Sequence, residues 1–354
     1  MHIKFKDYFY DPTNNNPLSL YIFEKLDQNV VSGMFVNKTT GMAYALYEGV
    51  AIFLPNSFTV EFVQLFKEKI ESIQAEIPNL IILIEKLRTT WSFSLEWEAH
   101  KELNMSTTWG MSLQSRYEQF LYETQSLNEN LNGQLMLDAG CGNGLLTEYF
   151  TDSSGLVVIG IDFSTSVFNA EKRRKSENCC FIQGDLMSPP FKMETFNIIV
   201  SNGVLHHTPD TETTFRSVAN LVKRNGKFYL WLYSRKGTIY WRFKRRVFDF
   251  LRIIVCRLPS RGKKLAVNTI SFLLYYAYLL CGKKLDKNTL TIDIYDSVTP
   301  RWRYYHTPEE ISRWFYEAGF GPLSVTYWDT KYGFGSMAYK VPLLKTPGEH
   351  FITD

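Results

Sequence analysis

Short apolar runs alternate with amphipathic segments in the second half of the chain, and this alternation predicts the architecture. Five runs of strand length follow one another within residues 135–233: LMLDA, LVVIGID, CCFIQ, FNIIVS and KFYLWLY. Amphipathic helices are predicted between them at Leu145–Thr151, Ser164–Lys175 and Pro209–Arg224. Strands that alternate with helices are typical of a parallel sheet covered on both faces. We therefore expect an α/β, doubly wound, Rossmann-like fold.

The alternation is interrupted and then resumes towards the C-terminus. A basic and apolar helical insertion is predicted at residues 236–290, and the next helix begins with the capping box Thr307-Pro308-Glu309-Glu310. Two terminal strands, LSVTYW and SMAYKV, would complete a seven-stranded sheet. These elements define an expected domain over residues 132–345.

The first 131 residues have a different pattern. Residues 1–60 contain short strand-like segments separated by glycines, which predicts a small β-rich module. Apolar positions at helical spacing predict a helix from Ser57 to about Leu87, and a second helical stretch covers 112–127. Residues 61–131 are therefore expected to form a helical linker between the two parts.

Composition and charge exclude few classes of protein. The 354 residues include 39 Lys and Arg against 36 Asp and Glu, a net charge of +3, so net charge alone favours no nucleic-acid binder. The five cysteines form no CxxC pair, which argues against disulfides and a metal site and favours a reducing, cytoplasmic setting. The longest apolar run, Ile270–Cys281, is shorter than the roughly 20 residues of a membrane-spanning helix, so we expect a soluble protein.

Residues suited to binding a nucleoside cofactor follow four successive predicted strands. The segment Leu137–Gly144 reads LDAGCGNG and joins a strand to a helix, as a glycine-rich cofactor loop does. Asp162 ends the next strand, 20 residues after Gly142, where an acid suits a ribose diol. Asp185 follows the third strand, and the segment SNGVLHH begins at the end of the fourth. Four signals in this order are more specific than the glycine motif alone.

With these motifs, residues 132–233 resemble the class I S-adenosylmethionine-dependent methyltransferases, in particular the branch of ubiquinone and menaquinone biosynthesis. The resemblance implies methyl transfer as the activity and S-adenosylmethionine as the cofactor. It implies that the cofactor is bound by Asp138, Gly140, Gly142, Asp162, Phe163, Asp185, Leu186, Ser201 and Asn202. In that family the acid matching Asp138 helps to hold the ammonium group and the acid matching Asp162 binds the ribose. Asp185, Leu186 and Phe163 match the adenine contacts, and Ser201 and Asn202 would lie beside the transferred methyl group.

A nicotinamide-dependent enzyme is the main alternative for such a loop. A dinucleotide brings a pyrophosphate, which an acid immediately before the loop would repel, whereas S-adenosylmethionine carries a sulfonium and an ammonium and no phosphate. Asp138 therefore favours the methyl donor. A subunit that binds the cofactor but catalyses nothing is a further alternative.

Four residues are candidates for work on the methyl acceptor. His206 and His207 follow the fourth strand at the edge of the sheet where ligands collect, so one of them would serve as a general base if the acceptor arrives protonated. Similar methyltransferases with a helical insertion carry a comparable segment to residues 295–306, which suggests Arg303 and His306 in the wall of the acceptor site. The alternative for all four is a purely structural role.

The insertion is locally basic. Residues 235–264 contain eleven Lys and Arg and one acid, Asp249, interleaved with aromatic residues. This charge suits an anionic acceptor, a membrane surface or RNA phosphates, and a solvated helix face is the simplest alternative. We interpret the insertion as a helical lid over a bulky or amphipathic acceptor.

The expected function is methylation of a small molecule in specialised metabolite biosynthesis. An RNA or protein methyltransferase is the alternative, but the NPPY-type tetrapeptide of many amide and base methyltransferases is absent from the fourth strand end, which reads SNGV. Contact with nucleic acid is therefore disfavoured. The oligomeric state is not predicted.

Two N-terminal features complete the expectations. Residues 31–55 resemble the small zinc-ribbon-derived domain that precedes some methyltransferases, but no cysteine occurs before Cys141, so no metal is expected. Four aromatic residues between the modules are interpreted mainly as interdomain core and alternatively as a cover over the cofactor: Trp91, Phe93, Trp97 and Trp109. Arg116 is a candidate partner for the cofactor carboxylate.

Overall fold

The computed structural model describes residues 1–85, 111–236, 239–282, 286–326 and 333–341, and for residues 239–241 it describes the backbone alone. The predicted cover residues Trp91, Phe93, Trp97 and Trp109 lie outside the described residues. The elements before the cofactor loop are β1 (Ser19–Leu26), β2 (Asn29–Val36), β3 (Ala43–Tyr47), β4 (Val50–Phe53), α1 (Val60–Leu65), α2 (Lys67–Glu76) and α3 (Leu113–Glu123).

The expected helix over 57–87 is shorter than predicted. Thr59 caps α1 by accepting a hydrogen bond from the amide of Phe62, and α2 ends at Glu76. Ile77 precedes Pro78 and has φ −122° and ψ 85°, because a residue before proline is disfavoured in the helical conformation. The helix therefore ends eleven residues before the predicted end at Leu87.

The predicted α/β alternation is present from residue 135 onwards. Its strands are β5 (Leu135–Ala139), β6 (Val157–Asp162), β7 (Cys179–Gly184), β8 (Phe196–Asn202), β9 (Val222–Tyr233), β10 (Ser324–Thr326) and β11 (Gly333–Tyr339). The helices between β5 and β9 are α4 (Leu145–Ser154), α5 (Ser166–Arg173) and α6 (Thr211–Ala219). Neighbouring strands from β7 through β5 to β9 are parallel, as the alternation requires.

Within the residues that the structure describes, the sheet has eleven strands, so the expectation of seven was wrong. The seven predicted strands lie side by side in the order β7-β6-β5-β8-β9-β11-β10, and β1 to β4 extend the same sheet beyond β7. Strand β4 pairs in parallel with β7, and Ala51 lies opposite Ile182. A buried strand such as β7 would leave a row of unpaired backbone groups at its edge, and β4 satisfies them. Phe53 of β4 packs in the same hydrophobic core as Leu137 of β5.

The helix predicted at Pro209–Arg224 is also shorter. Asp210 is its N-cap, accepting from the amide of Thr213, so Pro209 precedes the helix instead of lying in its first turn. The chain enters β9 at Val222, and Asn225, expected just beyond the helix, lies within that strand at φ +63°. The apolar pattern of residues 218–222 is consistent with a helix end followed at once by a strand, and periodicity alone does not separate the two.

The helical insertion extends further than residue 290. It comprises α7 (Ile239–Val255), α8 (Ser260–Leu280) and α9 (Lys287–Val298), and the next helix, α10 (Pro308–Glu317), has the predicted capping box between Thr307 and Glu310. Asp286 caps α9 by accepting from the amide of Thr289, which is why the chain becomes helical again before residue 290. Within the described residues, no helix has the length and apolar content that crossing a bilayer would require.

Candidate cofactor and acceptor site

The glycine loop between β5 and α4 has a backbone that only glycine adopts without strain. Gly140 has φ +96° and Gly144 has φ +73°. A Cβ at Gly140 would lie 2.3 Å from a methyl carbon of Val204, so the loop after β5 touches the segment after β8. The carboxyl ends of these two neighbouring strands are therefore in direct contact, as a ligand site at a sheet edge requires.

Asp162 organises the loop from the end of β6. Its two carboxylate oxygens accept hydrogen bonds from the amide of Gly142 at 2.8 Å and from the amide and hydroxyl of Ser164 at 2.8 and 2.6 Å. Burial raises the pKa of Asp162 above its usual value, and these hydrogen bonds oppose that shift. Oδ1 accepts both bonds from Ser164, whereas Oδ2 accepts the one from Gly142 and keeps a lone pair for a further donor such as a ribose hydroxyl.

Asp138 is a buried acid and the second-last residue of β5, directly before the loop. It is 7% exposed, and the hydroxyl of Thr147 donates to it at 2.6 Å. Burial raises the pKa of Asp138 to about 6, the nearby charge of Asp162 adds to this, and the Thr147 hydrogen bond opposes it. A buried carboxylate without a cationic partner is costly, so the site favours a ligand that brings positive charge.

We expect Asp138→Asn to stabilise the fold while weakening cofactor binding. The carboxyl has a higher pKa in the folded chain than in the unfolded one, so its ionisation destabilises the fold as pH rises from about 4 to 6. The variant should gain on the order of 2 kcal/mol in the free energy of unfolding at pH 7.5, and the gain should fall to a few tenths near pH 4. Urea unfolding followed by circular dichroism at the two pH values measures it.

The exposed Asp152 on α4 provides the matched control, because Asp152→Asn removes an acid without relieving burial. A gain for Asp138→Asn that is equal at both pH values would contradict the assignment of a buried, ionised carboxylate.

A cavity of about 360 Å³ lies beyond the ends of β8 and β9, under the helical insertion. The sheet contributes Asn202, Gly203, Trp231 and Tyr233 to its wall, and α3 contributes Arg116 and Gln119. The rest of the wall comes from α7, α8, α9 and the segment that leads to α10. The volume is within the range of small-molecule sites.

The lining is cationic and partly apolar. Six of its side chains are basic and two are acidic: Arg116, Lys236, Arg242, Lys244, Arg245 and Arg303 against Asp293 and Asp296. Aromatic and aliphatic side chains cover much of the remaining wall: Trp231, Tyr233, Phe248, Leu274, Tyr278, Leu290, Ile294 and Tyr305. The cavity thus combines positive charge with apolar surface.

Comparison with known proteins agrees with this geometry. Residues 137–230, which run from β5 into β9, match the family described as a methyltransferase domain. The chain carries a class I S-adenosylmethionine-dependent methyltransferase domain. Its cofactor is S-adenosylmethionine, and the residues fit that group, since the buried Asp138 and the partly buried Asp162 place two carboxylates beside the loop, where a pyrophosphate would be repelled.

Two curated proteins and one solved structure are similar to parts of this chain. Ubiquinone biosynthesis O-methyltransferase of Coxiella burnetii is 30% identical over 113 residues, which are 31% of this chain and 48% of that protein. The Dictyostelium discoideum protein named "Probable 18S rRNA (guanine-N(7))-methyltransferase" is 27% identical over 138 residues, 36% of this chain and 48% of that protein. The solved structure of Haemonchus contortus phosphoethanolamine N-methyltransferase 2, in complex with S-adenosyl-L-methionine, has a TM-score of 0.42 at 16% identity, covering 64% and 53% of the two chains. This chain spans about half the length of the two sequence relatives.

The remaining predicted cofactor residues lie at the same edge of the methyltransferase domain, in different settings. Asp185 accepts from the amide of Met187 at 2.8 Å and is partly exposed, and Leu186 beside it is buried. Phe163 is partly exposed next to Asp162, whereas Asn202 lines the cavity. Ser201 is fully buried and donates to the carbonyl of Ala139 at 2.9 Å. That hydrogen bond ties β8 to β5 directly below the loop.

His206 and His207 occupy distinct environments in the methyltransferase domain. His206 is fully buried, with its ring 4.1 Å from that of Tyr233, and neither ring nitrogen has a hydrogen-bond partner among the residues described. Burial lowers the pKa of His206 well below its ordinary value, and the neighbouring charges of His207 and Arg303 lower it further, so the ring is neutral. His206 therefore packs as an uncharged aromatic ring.

His207 is bound to groups on both sides. Its Nδ1 lies 3.0 Å from the carbonyl oxygen of Trp302, which only accepts, so Nδ1 carries a proton. Its Nε2 lies 3.4 Å from Oδ1 of Asp296. His207 thus contacts Trp302 through one ring nitrogen and Asp296 through the other.

Asp296 joins His207 to Tyr233, whose hydroxyl donates to the other carboxylate oxygen. Burial acts to raise the pKa of Asp296, but the hydrogen bond and charge of His207, the charge of Arg303 and the Tyr233 hydroxyl together lower it. Tyr233, Asp296 and Arg303 all line the cavity. The result is a chain of contacts, Tyr233–Asp296–His207, in which Tyr233 and Asp296 line the cavity.

Arg303 and His306, predicted in the same site, have different surroundings in the structure. Arg303 lies over the ring of Tyr233, 4.7 Å from its centroid, and donates to the carbonyl of Ser297 at 3.0 Å. The His306 ring packs 5.2 Å from Trp314, and its Nδ1 lies 3.3 Å from a carboxylate oxygen of Glu310. The amide of His306 donates to the carbonyl of Tyr233, so this residue fastens the returning segment to β9. His306 is not among the residues that line the cavity.

Sequence reasoning missed Tyr233 and Asp296. Tyr233 is the last residue of β9, and the rule that ligands collect at the carboxyl ends of parallel strands would have indicated it. Asp296 lies on α9, 63 residues further along the chain, and no local motif links it to β9. Only the packing of the insertion onto the sheet edge brings the two together.

Proposed function

We propose that this protein transfers the methyl group of S-adenosylmethionine to a small molecule that carries both an anionic group and an apolar part. The observation that supports the proposal is the cavity under the insertion, which begins at Asn202 and Gly203 beside the cofactor loop and has a cationic, partly apolar lining. When bound, the cofactor supplies an electrophilic methyl group. The residues of this chain hold the acceptor in line with it, and such orientation contributes roughly 7–11 kcal/mol to lowering the barrier.

Arg116 supports a division of the cavity into two ends. Its guanidinium donates to Gln119 at 3.1 Å, and burial lowers the pKa of Arg116. Arg116 lines the same cavity as Asn202, and we assign it to the cofactor carboxylate. The cations of α7, Arg242, Lys244 and Arg245, line the cavity from the insertion and are assigned to the anionic group of the acceptor.

The Tyr233–Asp296–His207 chain would accept a proton from an acceptor hydroxyl. Tyr233 donates its own hydroxyl proton to Asp296, so its oxygen presents a lone pair to the cavity. As the acceptor O–H bond breaks, the proton passes to the Tyr233 oxygen and the Tyr233 proton passes to Asp296. His207 and Arg303 keep Asp296 in place for this exchange. General base catalysis of this kind contributes about 10²–10⁴ in rate.

We also propose that residues 1–60 derive from a zinc-ribbon-like domain that has lost its cysteines. Two hairpins of short strands and the FLP ending of β4 support this relationship. In this chain the module has become part of the catalytic sheet through β4 and β7.

Methyl-labelled S-adenosylmethionine, incubated with the protein and an extract of its source cells, tests the proposal. Label is expected in an anionic compound of the small-molecule or lipid fraction, and boiled protein is the control. Calorimetric titration should show binding of S-adenosylmethionine and none of NAD. Absence of both label and S-adenosylmethionine binding would refute methyl transfer.

An RNA methyltransferase is the second candidate. The insertion favours it, because residues 239–282 carry nine basic residues and one acid, and the name of the Dictyostelium relative points in the same direction. Label in the RNA fraction that is lost after ribonuclease treatment would select this function and exclude the small-molecule acceptor.

A further inference from the structure

We propose that the outer faces of α7 and α8 dock on the surface of an anionic phospholipid bilayer. Eleven of the 26 large apolar side chains that are exposed in the described part of the chain lie on these two helices. Exposed apolar surface concentrated in this way marks an interaction site.

Each helix has two apolar sides. The inner sides pack around α9, where Val255 of α7 and Val267 of α8 share a cluster with Ile292. On α7 a second stripe recurs at helical spacing, with Phe243 68%, Val247 42%, Phe250 63% and Ile254 51% exposed. Helix α7 therefore has apolar residues both on the side that packs inward and on the side that is exposed.

Helix α8 repeats the arrangement. Its exposed side chains include Leu265, Phe272, Tyr276 and Leu280, and Leu280 is 90% exposed. A helix whose only role is to close a cavity needs one apolar side. The outward stripes of α7 and α8 are thus in excess of what the lid requires.

The positive charge of the same segment indicates that its binding partner is anionic. Residues 239–282 carry a net charge of +8, whereas the whole chain carries +3, so the remainder carries −5. Four basic residues that do not line the cavity are exposed beside the apolar stripes: Arg246, Arg257, Arg261 and Lys264. Apolar side chains that enter the interface and cations that meet lipid phosphates are the two components of binding by an interfacial helix.

Other occupants fit less well. A second copy of the chain would place two faces with exposed cations opposite each other, since a twofold interface uses the same patch on both partners. RNA would neutralise the cations but leave Phe243, Phe250 and Leu280 in water. An anionic bilayer accommodates both.

Helices α7 and α8 carry the docking face on their outer sides and form part of the cavity wall on their inner sides. Lys244, Arg245 and Phe248 of α7 and Leu274 and Tyr278 of α8 line the cavity from the inner sides of these helices. If the acceptor is amphiphilic, which rests on the proposed function, it passes from the lipid headgroups to the cavity along one hairpin. Docking itself is independent of methyl transfer.

Co-sedimentation of the full-length protein with vesicles tests the inference. We expect at least tenfold tighter binding to vesicles of equal parts phosphatidylcholine and phosphatidylglycerol than to phosphatidylcholine alone, and weaker binding at 0.5 M than at 0.1 M NaCl. The double variant Phe250→Asp, Leu280→Asp should reduce binding at least tenfold. Leu127→Asp, at a site 61% exposed on another part of the surface, is the matched control and should bind as the unmodified protein does.

Affinity for S-adenosylmethionine, measured on the same samples, separates this inference from the proposed function. The double variant should keep that affinity while losing vesicle binding. Vesicle binding that is absent, indifferent to phosphatidylglycerol, or equal in the double variant and the control would overturn the docking surface. Concentration-dependent dimerisation that the double variant abolishes would assign the face to a second copy instead and overturn it as well.

Discussion

Replacing Gly140 with alanine is expected to reduce the affinity for S-adenosylmethionine at least 100-fold. The residue has φ +96°, and its Cβ would lie 2.3 Å from Val204, so the loop must move away from the segment after β8. Backbone strain and overpacking each cost about 1–3 kcal/mol, and the displaced loop amides no longer meet the cofactor. Isothermal titration with S-adenosylmethionine measures the affinity, and thermal unfolding measures the stability.

Two further variants separate the clash from the strain. Gly133→Ala has a similar positive φ of +73° but no atom within 4 Å of the added Cβ, so it should lose about 1 kcal/mol of stability and no cofactor affinity. Val204→Ala in the Gly140→Ala background removes the methyl groups that the new Cβ meets and should restore part of the affinity. If folded Gly140→Ala binds the cofactor as tightly as the unmodified protein, the loop is not the cofactor site.

Asp296→Asn is expected to lower kcat by about 10²–10³ while changing the affinity for S-adenosylmethionine less than twofold. Asparagine is nearly the same size, but it carries no negative charge beside His207, and one of its two terminal atoms is a donor instead of an acceptor. The Tyr233 hydroxyl then lacks a group that takes up its proton. Release of S-adenosylhomocysteine, with the acceptor found by labelling, provides the rate.

Asp293→Asn is the control for that experiment. Asp293 lies one helical turn before Asp296 on α9 and also lines the cavity, but Asp296 is the residue bonded to His207 and Tyr233. The control should lose less than tenfold in kcat. Equal losses in the two variants would indicate that the charge of the cavity matters and that the Tyr233–Asp296–His207 chain does not.

The sheet from β5 to β9 was predictable because each element is encoded locally, and so were the places of the candidate cofactor residues at the strand ends. A buried strand, a glycine loop and an acid at the next strand end fall within some 25 residues, as Leu135–Ala139 and Asp162 show. The fusion of β4 to β7 was not predictable in this way, because nothing in the sequence near Ala51 identifies Ile182 as its partner. Pairing of distant strands depends on which edges remain open once the rest of the sheet has formed.

The acceptor side was predicted less well for the same reason. His207 was selected by its position after β8, and the structure surrounds it with Trp302 and Asp296 from residues almost 100 positions later. His306 was selected because residues 295–306 resemble a segment of similar methyltransferases, but its ring contacts Trp314 and Glu310 and it does not line the cavity. The periodicity of the sequence predicts which helix or strand a residue belongs to. Which of these residues contact one another depends on how the insertion packs against the sheet.

The joining of β4 to β7 has a consequence for how the chain folds during synthesis. Ala51 leaves the ribosome 131 residues before Ile182, its partner in the sheet, which at cellular rates of translation corresponds to a delay on the order of ten seconds. The four N-terminal strands are complete throughout that interval, but the outer edge of β4 has no partner. A nascent chain in this state exposes an unpaired strand edge, and we expect a chaperone that binds exposed strands to recognise it.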